Sequence, residues 1–212
     1  MILREIREDD VGPLSRIVCD VWSMGSYGRG VAMPGSVLYL CDCIARSSFF
    51  RVAEVDGRVV GCVGSRFRDE RPDTSWAVRM ASDARRKLSS DDDGRTLLSD
   101  FDAYDAADAE LAKASGIDMD FELVLLLLDR GARGLGIGRT MFDEACGFLL
   151  SRGAEDVSIF TDSDCNIAFY DSVGAVLRGS SSVECLREPL EIFVYALSLG
   201  DPPASLEGPG AR

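Results

Sequence analysis

Apolar and charged residues alternate through ILREIRE, which begins at Ile2, and this period of two predicts a first strand. Val11, Leu14, Ile17, Val18 and Val21 then recur at helical spacing in DDVGPLSRIVCDVW and predict an amphipathic helix. SMGSYGRGVAMPG reads as a loop that exposes Tyr27 and Arg29 among its glycines, and SVLYLCDCIA as a second helix. In FFRVAEVDGRVVGCVGSRF two β-rich runs flank Asp56-Gly57, the residue pair that best accepts the positive φ angles of a two-residue hairpin turn.

The pattern changes over residues 68–120, which carry eight basic and fourteen acidic residues and the alanine-rich run FDAYDAADAELAKA. Some fifty residues do not stay structureless inside a compact domain. Trp76, Val78, Met80, Leu88, Leu97, Leu98, Phe101, Tyr104 and Leu111 predict two or three amphipathic helices inserted between strands. DFELVLLLLD follows as a strand buried on both faces, then GIGRTMFDEACGFLLSRG as a helix closed by Gly153. DVSIFTD predicts a short strand, SDCNIAFYDSVGA a helix capped by Ser163 or Asp164 and ended by Gly174, and AVLRGSSSVECL and LEIFVYALSL two last strands. The order β-α-α-β-β, insertion, β-α-β-α-β-β predicts one α/β domain over residues 1–199, with the helical insertion at 68–120 and a Pro/Gly-rich flexible tail at 200–212.

Composition narrows the function. A net charge of -13 repels nucleic acid and anionic lipid and suits a cationic partner. No apolar run reaches the length of a membrane span, and MILREIREDD lacks the apolar segment of a secretory signal, so a cytoplasmic protein is expected. Seven cysteines without repeated spacing predict reduced thiols, and with no histidine in the chain and only a Cys41-x-Cys43 pair, no metal site is expected.

The chemistry gathers at RGLGIG, residues 133–138, three residues beyond the buried LVLLLLD. A glycine-rich turn between a strand and a helix start aims unpaired backbone N–H groups at one spot, where the helix dipole also favours an anion. Such a turn binds phosphate. A nucleotide-triphosphate loop would need Gly-Lys-Ser/Thr, but Gly138 precedes Arg139 and Thr140. A dinucleotide turn would need a third glycine where Met141 stands.

Arg133-x-x-Gly136-x-Gly138, with Asn166, Tyr170 and Gly174 in NIAFYDSVGA downstream, resembles the Gcn5-related N-acetyltransferase (GNAT) superfamily. The resemblance covers roughly residues 2–67 and 121–199; the insertion and tail have no counterpart, and Arg130 stands where the family often has proline. It implies a mixed, mostly antiparallel sheet of about seven strands flanked by helices, and acetyl-CoA as cosubstrate. Leu126 and Leu128 would hold the pantetheine by their backbone between splayed fourth and fifth strands. Arg133, Gly134, Gly136, Gly138 and Arg139 would hold the pyrophosphate, with Asn166 beside the pantetheine arm. Tyr170 would protonate the leaving sulfur, and Glu122, or alternatively Asp120, would be the base. The acceptor is then a small-molecule or peptide amine, with residues 22–33 lining its cleft and the insertion forming a wall over it, its acidic run selecting a cation. The insertion could instead serve as a homodimer contact or a solvated elaboration. A catalytically inactive acyl-CoA-binding sensor or interaction module is the alternative to an enzyme.

Overall fold

Asp56 and Gly57 take φ angles of 50° and 75° and join β2 (Phe49–Val55) to β3 (Arg58–Phe67) as the sequence predicts. Residues 1–68, 70, 72–185 and 189–200 are described in the computed structural model. The other strands are β1 (Ile2–Glu5), β4 (Phe121–Leu128), β5 (Asp156–Asp162), β6 (Val176–Val183) and β7 (Leu190–Ser198), and all seven form one sheet in the order β1-β2-β3-β4-β5-β7-β6. Every pairing is antiparallel except β4 with β5.

Helices cover both faces. α1 (Val11–Val21), α2 (Ala32–Arg46), α3 (Ser75–Ser89) and α4 (Asp92–Ser115) bury Leu14, Leu38, Ile44, Leu88 and Leu97 with Val52 and Leu127 of the sheet. α5 (Ile137–Ser151) and α6 (Ile167–Ser172) bury Met141, Phe142, Leu149 and Tyr170 with Val63, Leu123 and Ile159 in a second core. A smaller third cluster joins Leu111 of α4 to Val183, Ile192 and Val194 of β6 and β7.

Three local readings change. α2 begins at Ala32 rather than Ser36, because Pro34 in a first helical turn lacks only an N–H that would have no partner there. Val78 of α3 faces outward, 51 % exposed, while Ala77, Ala81, Ala84 and Leu88 form the helix's buried stripe. α6 starts at Ile167 with Asn166 at its N-cap position, so neither Ser163 nor Asp164 caps it. The tail beyond residue 200 and residues 186–188 lie outside the described residues. No helix among the described residues is long and apolar enough to cross a membrane.

Candidate functional site

β4 and β5 pair only at Glu122 with Ser158 and Leu123 with Ile159, although β5 runs on to Asp162. The cause is local. On its other side β4 pairs Leu123 with Ser65 and Leu125 with Gly64, leaving Val124 as an extra residue in the ladder. Such a bulge bends its strand. It sits where the parallel ladder stops, and beyond it the backbone of β4 is paired toward β3 but not toward β5.

The opening leads to the glycine turn. Gly134 and Gly136 adopt φ angles of 78° and 76°, a backbone region in which any side chain is strained. The turn delivers the chain to α5, whose first N–H groups have no acceptor within the helix. Gly138, in the first turn of α5, leaves open space where a Cβ would meet only Leu128 Cδ2 at 3.7 Å. Arg133 and Arg139 flank the spot on exposed positions, Arg139 also bonding Asp143 Oδ1 at 2.7 Å.

A cavity of about 290 Å³ follows this path, and its lining includes Leu126, Leu128, Arg133, Gly134, Gly136, Gly138, Arg139, Asn166 and Tyr170. The structure thus brings together nine of the ten residues that the sequence put first for a role in the site. Tyr170 is buried, and that burial, reinforced by nearby Cys165 and Asp162, pushes its phenol well above the usual range and keeps it protonated. Cys165, in the same lining, is pushed up to about 12, by burial first and then by Asp162, and stays a thiol.

Glu122 is the exception. Its side chain is buried beneath α2, with Arg66 Nη2 at 2.6 Å and Arg46 Nη2 at 3.6 Å, and it lines neither this cavity nor its neighbour. Asp120 is likewise outside both cavities, ion-paired to Arg68. The start of β4 is not an open strand end, because β5 pairs with it and the end of α2 covers it.

A second cavity, of about 690 Å³, adjoins the first and shares Trp22 and Asp164 with it. Trp22, Ser23, Met24, Ser26 and Tyr27, from the segment expected to line an acceptor cleft, form one side. Tyr27 is half-buried rather than exposed, donating to Asp100 Oδ2 at 2.7 Å. Leu97, Asp100, Phe101 and Tyr104 of α4 form the facing wall. Asp162, at the end of β5, completes it, and sequence reasoning overlooked this residue. The available signal was its place at the carboxyl end of a strand parallel to its neighbour, where α/β sheets bind ligands.

No family model and no curated protein matches the sequence. Solved structures match. A ribosomal-protein-alanine N-acetyltransferase from Brucella melitensis is 18 % identical, with a TM-score of 0.55 over 94 % of this chain and 100 % of its own. The chain has the Gcn5-related N-acetyltransferase fold. A Gcn5-related N-acetyltransferase from Rhodopseudomonas palustris is 14 % identical, at a TM-score of 0.54 over 93 % of this chain and 95 % of its own. An acetyltransferase assigned to the GNAT family from Desulfovibrio desulfuricans is 13 % identical, at 0.52 over 93 % and 98 %. In this GNAT fold the first cavity lies between the end of β4 and the segment that follows β5, and α3 and α4 occupy the connection from β3 to β4.

Proposed function

We propose that the chain is an acetyltransferase that moves the acetyl group of acetyl-CoA to a primary amine within a ternary complex. The observation that carries this reading is the single cavity that runs from the opening between β4 and β5 to the N-terminus of α5. Its donors fit the two halves of the cosubstrate. The unpaired backbone about Leu126 and Leu128 can extend the sheet by hydrogen bonds to a pantetheine amide chain. The turn at Gly134 and Gly136, the α5 N–H groups, Arg133 and Arg139 supply positive potential for a pyrophosphate, and Asn166 a polar side chain along the arm.

The thioester supplies an activated acyl group, and the chain's part is to place an amine against its carbonyl. A backbone N–H near Leu128 is positioned to stabilise negative charge that develops on the carbonyl oxygen. Tyr170, protonated and in the same lining, donates to the departing sulfur.

Calorimetry with CoA tests the reading. A 1:1 complex is expected, with affinity falling at least about tenfold in Arg133→Ala through loss of a charge-assisted bond. Gly136→Glu should abolish binding, since its carboxylate would occupy the anion site. Absence of CoA binding by the intact chain would end the proposal. Binding without turnover on any amine would make the chain an acyl-CoA-binding module instead.

A further inference from the structure

We propose that the second cavity is an acceptor site for a small organic cation, in which Asp162 holds the ammonium group of the incoming amine and takes its proton. This rests on the acetyltransferase reading above and names its substrate class. Trp22, Tyr27, Tyr39, Phe101 and Tyr104 all line the cavity, and ring centroids 5.1 Å apart for Trp22 and Tyr39 and 6.3 Å apart for Tyr39 and Phe101 mark a continuous aromatic wall. Aromatic faces attract cations, most strongly where water is excluded. Asp162 supplies the matching charge. It is 4 % exposed yet contributes to the cavity lining, and it ends the strand that splays away from β4. It contacts Trp22, which both cavities share, and is close enough to Tyr170 to raise that phenol's pKa.

Hydrogen bonds fix the carboxyl group. Its Oδ1 accepts from the Asp164 N–H at 2.9 Å, its Oδ2 receives long contacts of 3.4 Å from Trp22 Nε1 and the Tyr104 hydroxyl, and the Cys165 thiol, a weak donor, also bonds the carboxyl group. Oδ2 thus keeps capacity for a stronger donor. The groups that act on Asp162 are Trp22 after α1, Tyr104 and Asp108 on α4, Asp164 and Cys165 after β5, Tyr170 on α6 and Cys185 after β6. Burial raises its pKa above the ordinary carboxylate value against the pull of its hydrogen bonds, which suits a proton acceptor.

The proton balance closes. The ammonium group gives one proton to Asp162, and the freed nitrogen lone pair forms the C–N bond to the acetyl carbon as the C–S bond breaks. The sulfur takes a proton from Tyr170, whose oxygen is reprotonated by the second proton lost from nitrogen. Asp162 returns its proton to water. The products are the acetylated amine and free CoA.

Benzyltrimethylammonium, which carries the charge but cannot be acetylated, tests the site without turnover. Calorimetry should show saturable binding that weakens at least about tenfold in Asp162→Asn and several-fold in Phe101→Leu, with CoA affinity unchanged in both. Binding should also weaken as pH falls through the Asp162 titration, and the Asn variant should lose that dependence. With acetyl-CoA and the fastest amine among benzylamine, tyramine, spermidine and lysine methyl ester, Asp162→Asn should lower kcat/KM about 100-fold and remove the acidic limb. No cation binding, equal binding in Asp162→Asn, or no turnover with any of these amines overturns the proposal. So does an acidic limb that persists in Asp162→Asn and disappears in Glu122→Gln. Failure of CoA to bind would instead strike the acetyltransferase reading, leaving the cation result to stand by itself.

Discussion

Asp10 ties the first strand to the first helix. Its carboxylate accepts two bonds of 2.7 Å from the Arg4 guanidinium and one of 2.8 Å from the Arg7 N–H, while Arg4 Nε also reaches Glu54 on β2 at 2.9 Å. Burial alone would raise the pKa of Asp10, but these donors outweigh it and hold it below the ordinary value. A depressed pKa contributes stability that is complete above the unfolded value, near 4, and is lost as pH falls through the folded one. Asp10→Asn should therefore cost about 2 kcal/mol at pH 7, with the difference from the parent chain narrowing below about pH 4. Urea unfolding at both pH values checks this, and a pH-independent difference would refute the charged role. Residues of the glycine turn were legible in the sequence because their backbone demands are local: Gly134 and Gly136 have the positive φ that the motif requires. Asp162 was not. In TDSD only the tertiary position decides which carboxylate turns inward, and here Asp162 is buried while Asp164 is exposed.

The elements were read well where one period repeats and less well where a neighbour decides. β5 matches DVSIFTD, and α5 ends before Gly153 in the left-handed region as expected. The pairing of buried Glu122 with Arg46 was hidden because strand alternation assigns a side of the sheet but not the helix that covers it. α2 and α4 add a second case. A Cβ on Gly35 of α2 would lie 2.4 Å from Leu97 Cδ2 of α4, and Leu97 also lines the second cavity. Gly35→Ala would gain about 0.5–1 kcal/mol of helix propensity. Overpacking costs about 1–3 kcal/mol and should win, because Leu97 is 1 % exposed. The expected outcome is a lower melting temperature and an amine KM shifted several-fold, with CoA affinity held, since Leu97 can yield only into the cavity or by moving α4. A higher melting temperature would show that this contact is not tight.

For the molecule as a whole, the insertion turns out to be part of the core. Its sequence suggested helices docked over an acceptor site, and α4 does form a wall of the second cavity. Yet Ala77, Ala81, Ala84, Leu88, Leu97 and Leu98 share one cluster with Leu14 and Leu38 of α1 and α2 and Leu127 of β4. Gly179 of β6 also depends on α4, for a Cβ there would lie 2.5 Å from Ser115 Oγ. Leu88, Leu97 and Leu98 are each at most 9 % exposed. At about 1.5–3 kcal/mol for burial of each, these three side chains together contribute roughly 5–9 kcal/mol, comparable to the whole stability of about 5–15 kcal/mol for a domain. Replacing residues 74–115 by a short Gly/Ser linker should therefore not yield a lidless enzyme with altered amine KM. It should yield a chain that exposes the faces of α2 and β7, loses cooperative thermal unfolding and no longer binds CoA. Single substitutions on the cavity side of α4, such as Phe101→Leu, should instead leave the unfolding transition cooperative. A deletion chain that unfolds in one sharp step and retains CoA affinity would show that the catalytic fold closes without α3 and α4.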